Sequence, residues 1–529
     1  MSLLAGVFVV LLALCALVAV RLHRRFAGWE PMDRWMASAT PLAAWFFLLP
    51  WASAILRGPW FDWNDVRLAR SAALLHGYRI YFGPAEDGPV IGTLHAPVSH
   101  LLYTAVAWIP DPTFAIVAGA VFSSLLLLGP VFWLHLPART ASPRARALSL
   151  CAFLACALAI TVSSGTQFSS SMIHADAAAL GLATLAAGVL YHSRDERAWR
   201  PLWVSALAAA LSVWSKQTMA PLVVALPVFL LLADGPRRAW RYLLSLAVCG
   251  TAVSAVVAIL LWPPDAMWFN IVTLAVHRPP SGPPGTRIAL ALSALKKDAM
   301  TGVVPVLFLA LYAFSFGRSV PFRLRDTLAA NRWLLFPLIG LFELPFMLKA
   351  MMTEGGGINQ QSLVGHFLFL GASMSLYGCV NAKDGSVDRF QAMASRLFAA
   401  VMILLNLAPG AILALPHSMA EMRANPTQAA YEYIKRHPGK VYFTSTPLAT
   451  LAAEGKLYHF DYALHDRETA GRPLTAQQFQ SGLPPSFSAV AFPPDCGLSS
   501  QAFAKMLANF RLVRDPELPG WTVYERPRS

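Results

Sequence analysis

Gly58-Pro59-Trp60-Phe61-Asp62-Trp63-Asn64-Asp65-Val66-Arg67-Leu68-Ala69-Arg70 opens a polar segment, 58–112, whose reading decides the fold. Long apolar runs lie on both sides of it, yet the segment goes on to carry Glu86, Asp87 and His95. Placed between two membrane spans, it must face water on one side of the bilayer. Connections between elements usually run a few residues, and long ones tend to be functional. The segment therefore reads as a membrane-surface loop that holds the chemistry.

Working outward, the composition fits a membrane protein. The chain has 529 residues, 56% hydrophobic and 13% charged, with a mean hydropathy of +0.51. Soluble domains are nearer one quarter charged. A spanning helix needs roughly 20 mostly apolar residues, and about twelve runs approach that length. They are 3–20, 36–57, 113–134, 147–163, 176–191, 200–215, 218–233, 240–262, 300–317, 332–349, 362–380 and 392–415. The first is followed by Arg21-Leu22-His23-Arg24-Arg25. A cleaved signal peptide carries its positive charges before the apolar core, so this run reads as a span or anchor. The expected fold class is an all-α polytopic membrane protein of about 11–13 transmembrane helices. A small extracytoplasmic α/β tail follows it.

Charge orients the chain. A net charge of +14 raises the question of nucleic acid, but the basic residues cluster in short loops. Arg139/Arg144/Arg146, Arg194/Arg197/Arg200, Arg237/Arg238/Arg241, Arg318/Arg323/Arg325/Arg332 and Lys383/Arg389 join the group after residue 20. The positive-inside rule places these loops in the cytoplasm. Segments 58–112, 164–175, 263–299, 350–361 and the chain after 416 then lie outside. No nucleic-acid partner is expected; the bilayer itself is.

Cysteine adds little. Cys496 is alone in the tail, which excludes a disulfide within it, and no cysteine pair has metal-ligand spacing with a supporting histidine. Asn425-Pro426-Thr427 is disqualified as a glycosylation sequon by its proline. Residues 1–415 form the membrane domain, and 416–529 form the tail. In the tail a helix is expected over 426–437, with strands at 440–444, 487–492 and 520–524 between Pro/Gly breaks.

Within the first external loop, Asn64 is a suitable N-cap and Gly77 a suitable residue just past a helix end. A helix over 65–76 is expected, with Leu68, Ala72 and Leu75 on one face and Arg67 and Arg70 on another. A second, 97–109, is apolar but short for a span. Both are expected in the membrane interface.

Three blocks of this loop carry a family resemblance: Trp63-Asn64-Asp65-Val66-Arg67-Leu68-Ala69-Arg70, Leu75-His76-Gly77-Tyr78-Arg79-Ile80-Tyr81, and His95-Ala96-Pro97-Val98. Their order after a first span resembles the first external loop of GT-C glycosyltransferases, which include protein O-mannosyltransferases and lipid A aminoarabinose transferases. Ser215-Lys216-Gln217-Thr218, and Lys349 followed by Gly355-Gly356-Gly357-Ile358-Asn359-Gln360, are similar to bacterial members. The chain departs from the pattern at Val66, where many members carry a second acid, and at Gln360, where the subgroup often has an aromatic.

The resemblance implies a sugar donor on a polyprenyl phosphate, an external acceptor, an external active site and an acid in the first loop. It also implies no essential metal. Transfer to a hydroxyl needs a base, which a placed carboxylate supplies at about 10²–10⁴-fold. Asp65 is the expected base. The phosphate leaving group calls for positive charge, expected from Lys349, Arg278, Arg287 and Lys216. Glu86, Asp87, His95, Asn359, Arg67 and Arg70 are the expected substrate contacts. Each has a plainer reading: Asp65 complements a helix dipole, Lys349 snorkels, Arg67 and Arg70 bind lipid headgroups, and Glu86 and Asp87 sit in a solvated turn. His174 and Asp176 read as capping and packing residues. The expected function is a metal-independent membrane glycosyltransferase of a bacterial plasma membrane. The alternative is a polytopic transporter or flippase, which would place charges near the bilayer midplane.

Overall fold

A computed structural model describes residues 2–193, 195, 197–261, 263–297, 324–381, 389–405, 411–494 and 496–527. Among these, seven helices are long and apolar enough to cross a membrane: Pro31–Trp60, Pro112–Leu134, Pro143–Val162, Ala175–His192, Pro236–Ile259, Arg332–Met351 and Ile358–Cys379. The runs expected at 3–20, 200–215, 218–233 and 392–415 also fall on helices. The described part of the last is carried by two, Arg389–Leu405 and Ala411–Arg423, and its residues 406–410 lie outside the described residues. The run 300–317 lies outside the described residues. The fold class is the one expected: a polytopic helical membrane protein with a small C-terminal sheet.

The helices pack through small residues. Ala152, Ala155, Ala159, Ala179, Ala183, Ala186, Ala206 and Ala209 are buried together in the largest core cluster. Small side chains let backbones approach where lipid offers no hydrophobic drive between helices. Two ionic clamps fix one end of the bundle. Asp33 is buried between Arg144 and Arg396, and Asp234 between Arg238 and Arg332. Asp33 stands in the first turn of Pro31–Arg57, a 27-residue helix. At ~1.5 Å per residue its far end is about 40 Å away, and there the chain enters the first external loop.

In that loop the first helix is Asp62–Leu75. It begins three residues earlier than expected, so Asn64 lies inside it and is no N-cap. Asn64 instead donates from Nδ2 to Gly58 O at 2.9 Å and accepts from the Ile173 amide at 2.9 Å, tying the loop to the next external segment. Gly77 does take a positive φ, 77°, just beyond the helix. Leu68, Ala69, Ala72 and Ala73 are buried in protein rather than set against lipid.

The cause is the tail. Its sheet has the order β1-β2-β4-β3, from Val441–Phe443, Ala489–Phe492, Arg511–Val513 and Thr522–Glu525. β1 and β2 are parallel and the other pairs antiparallel. Three strands fall where expected, and β3 is additional. Leu448, Leu451 and Leu457 join the core around Leu68, while Val66 and Val90 join a tail core with Tyr442, Phe460 and Phe492. The helix Asp62–Leu75 is thus packed between the membrane bundle and the tail.

Candidate functional site

A cavity of about 340 Å³ opens where the first external loop, the membrane helices and the tail meet. Its wall includes Trp63, Arg67 and Arg70 from Asp62–Leu75, and Gly92 and His95 from the loop that follows. Phe168 and His174 come from the second external segment, Arg278 from the third, Asn359 and Gln360 from the fourth. Tyr462 and Asp466 come from the tail. The two tail residues lie one turn apart on the helix Asp461–Thr469, so they share a face.

Three arginines enter this wall. The Arg67 guanidinium lies over the rings of Trp63, at 5.6 Å, and Phe168, at 5.0 Å. Arg70 is buried and donates from Nε to Ile91 O at 3.4 Å. Burial pulls its pKa down to about 10, against the fields of Asp466 and Tyr81. Arg278 is aimed by a short hairpin-like contact: Ser281 donates to Met352 O at 3.0 Å and Glu354 to Pro279 O at 2.9 Å. Its Nη2 donates to Asp466 Oδ1. Gly355, at φ 74°, makes room for it, since a Cβ there would fall 2.8 Å from Arg278 Nη1.

Asp466 is the carboxylate of this wall among the described residues. Burial raises its pKa, and Arg278 and then Arg70 hold it back. The helix carrying it approaches the loop closely. Gly92, at φ 61°, faces Ala463 so nearly that a Cβ would lie 2.8 Å from the Ala463 Cβ. His95 is packed at 5.0 Å, edge-on, against His174. Desolvation, followed by repulsion from His174, Lys216 and Arg70, holds His95 well below the ordinary histidine range.

Behind the wall stands a second charged cluster. Asp176 is fully buried. Its Oδ1 accepts from Lys216 Nζ, and its Oδ2 accepts from Asn359 Nδ2 at 2.8 Å and Ser169 Oγ at 3.2 Å. His174 Nδ1 is 2.8 Å from the same oxygen. Lys216 also donates to Gln360 Oε1 at 3.2 Å. Asp176 thus orients three cavity-wall or near-wall side chains: His174, Asn359 and, through Lys216, Gln360.

The cavity therefore gathers Arg67, Arg70, Arg278, His95 and Asn359 from the residues singled out in the sequence. Lys216 is directly behind them. Asp65 is fully buried, off the cavity wall, and accepts from the Leu448 amide at 2.8 Å. Lys349 is exposed near the end of its helix. Arg287 is half-buried, off the cavity wall, and donates to Gly282 O. Glu86 is held by Arg79, at 2.9 Å, and by the Gly83 amide, while Asp87 is exposed. Sequence reasoning missed Tyr462 and Asp466, which lie in the tail, and Asp176, whose partners are 40 and 183 residues away. Among the described residues, no three His, Cys, Asp or Glu side chains are grouped to hold a metal ion.

No family model matches the chain, and no curated protein matches it. Solved structures do. The chain is similar to ArnT from Cupriavidus metallidurans bound to undecaprenyl phosphate, with a TM-score of 0.52 at 13% identity, over 91% of this chain and 96% of that one. Apo ArnT from the same organism aligns over 92% and 98%, with a TM-score of 0.43 at 13% identity. An apo oligosaccharyltransferase from Archaeoglobus fulgidus aligns over 92% and 69%, with a TM-score of 0.42 at 12% identity. The first of these likenesses shows the fold alone: the chain is a polytopic helical bundle with a C-terminal tail, built like that structure over nearly its whole length.

Proposed function

We propose that the chain is an integral-membrane glycosyltransferase that moves a sugar from a polyprenyl-phosphate donor to an acceptor outside the cytoplasm. The observation that carries this reading is the arginine-lined cavity at the end of the bundle away from the Asp33 and Asp234 clamps. Arg70 and Arg278 offer planar forks suited to a phosphate. Trp63, Phe168 and Tyr462 give flat apolar faces for a sugar ring. An apolar groove of about 450 Å³ between Arg200–Ser215, Leu222–Ala233 and Pro236–Ala255, lined by Val213, Trp214, Leu246 and Gly250 among others, suits an isoprenoid chain. Its wall residue Trp214 is two positions from Lys216. The fold likeness to ArnT, whose structure holds undecaprenyl phosphate, supports the same donor class.

In this reading Asp466, rather than Asp65, is the base, because Asp65 is engaged by the Leu448 amide and Asp466 faces the cavity. The acceptor hydroxyl gives its proton to Asp466 as its oxygen bonds to the anomeric carbon. The bond from that carbon to the phosphate oxygen breaks, and polyprenyl phosphate leaves. A donor phosphate that engages Arg278 loosens the grip of Arg278 on Asp466 and frees the carboxylate to accept the proton. One-step attack inverts the sugar carbon, and no step calls on a metal. Positive-inside topology supports a reaction on the side of the membrane away from the cytoplasm, which in this reading is the outer face of a bacterial plasma membrane.

One observation favours the transporter alternative. Glu343 is fully buried in the spanning helix Leu335–Met351, and neither carboxyl oxygen has a hydrogen-bond partner among the described residues. Intramembrane acids often mark ion or substrate paths.

The test is sugar release or transfer from labelled polyprenyl-phosphate sugars by the purified chain in nanodiscs, compared with Asp466→Asn and Asp65→Asn. Turnover by wild type and Asp65→Asn, lost in Asp466→Asn, is the expected result. Binding of no donor, together with Glu343-dependent flux in liposomes, would move the assignment to transport.

A further inference from the structure

The charges around the cavity are arranged one-sidedly. Asp466, the wall carboxylate, is bonded to Arg278 and sits in the field of Arg70. Behind the wall, both Asp176 oxygens are taken, by Lys216 on one side and by Asn359, Ser169 and His174 on the other. At the rim, the Glu354 carboxylate turns to His465, 3.6 Å away, and only its backbone oxygen reaches Arg278. These three acids, Asp466, Asp176 and Glu354, therefore already have a cationic or polar partner, while Arg70 and Arg278 hold the wall.

We propose that the sugar transferred at this site carries no positive charge: it is neutral or acidic, and an amino sugar in its ammonium form is rejected. The inference rests on the glycosyl-transfer reading and narrows its substrate class. A site built for an ammonium presents a carboxylate whose partner is the ligand, because charge-assisted hydrogen bonds of that kind are the strong ones. Here an ammonium meets two guanidiniums and must compete with Arg278 for Asp466. Juxtaposed like charges discriminate strongly between ligands. A hydroxyl, an N-acetyl group or a carboxylate meets no such obstacle. The rings of Trp63 and Tyr462, packed edge to face with centroids 4.8 Å apart, offer apolar surface suited to a neutral sugar's C–H groups.

The experiment compares matched donors on the full-length protein in nanodiscs. Each has the same polyprenyl phosphate and the same sugar ring, differing at one carbon as hydroxyl, free amine, N-acetyl amine or, for a uronate, at the terminal carboxyl. Binding is read in competition with labelled polyprenyl phosphate. The free amine is expected to bind at least about tenfold more weakly than its N-acetyl counterpart at pH 7, and the gap to close as rising pH neutralises the amine. Equal or tighter binding of the free amine overturns this inference and leaves the transferase reading standing. Failure of polyprenyl phosphate and every donor to bind overturns both.

Discussion

The Asp65 carboxylate accepts a hydrogen bond from the Leu448 backbone amide at 2.8 Å, joining the first external loop to the tail across 383 residues. Leu448 is in the first turn of Pro447–Glu454, so Asp65 satisfies a helix N-terminal donor from outside that helix.

This contact predicts a graded stability effect. Asp65→Ala leaves the buried Leu448 amide without this acceptor, which costs about 1–3 kcal/mol. Asp65→Asn keeps an acceptor oxygen and loses only the charge at the helix N-terminus, about 0.3–1 kcal/mol. Thermal unfolding in detergent is expected to rank wild type, Asp65→Asn, Asp65→Ala in falling order, with Asp65→Asn retaining most turnover. Loss of turnover in Asp65→Asn at unchanged stability would make Asp65 the base.

Asp466 predicts a pH profile. Burial raises its pKa above the usual carboxylate value of about 3.9. A base must be ionised, so kcat/KM is expected to rise with pH through an inflection above that value. The sign for stability is opposite. Between the unfolded and the raised folded value the native state holds more protons, so this group's contribution falls as pH rises. Asp466→Asn removes the inflection along with the activity. An unshifted acid limb in that variant would eliminate Asp466 as its source.

Lys216 and Asp176 form a buried pair. Removing one partner of such a pair strands a charge and costs about 3–5 kcal/mol, whereas replacing both by apolar groups is often tolerated. Lys216→Met and Asp176→Leu are each expected to destabilise more than the double variant, in a thermal-shift cycle. A Lys216→Met protein of wild-type stability with a raised KM for donor would instead assign Lys216 to phosphate binding.

His459 predicts acid release of the tail. Its Nδ1 accepts from the Val90 amide at 2.9 Å, and burial pulls its pKa down to about 4. The unfolded side chain takes up a proton near 6.5. The stability from this contact is therefore present above about pH 6.5 and lost as pH falls toward 4. Protease protection of residues near Val90 and His459 should decline over that window, and His459→Gln should flatten the decline. Protection that stays constant to pH 4 would place the docking strength elsewhere.

Much of the bundle was legible because lipid imposes one rule on every span, and hydropathy over about 20 residues records it. Pro143–Val162 and Ala175–His192 are visible in that way. The loop helix was visible from Gly77, but its start was not. Asn64 has the chemistry of a cap, and only its contacts with Gly58 and Ile173 show that it serves as a tether. Arg67, Arg70, Arg278, His95 and Asn359 were recoverable from sidedness and motif order. Tyr462 and Asp466 were not, because their place in the cavity wall comes from a docking contact at Gly92 and Ala463 that no local pattern encodes. Lys349 is the reverse case: its place beside a glycine run is suggestive, and the structure leaves it exposed near its helix end, off the cavity wall.

The packing of Ala463 against Gly92 has a consequence for biosynthesis. Ribosomes deliver the membrane helices first, and Tyr462 and Asp466 emerge only after most of the chain has been inserted. Until that late segment crosses and settles, the cavity lacks one wall and its carboxylate. On the transfer reading proposed above, a chain truncated before residue 461 should insert normally yet never acquire the ability to react.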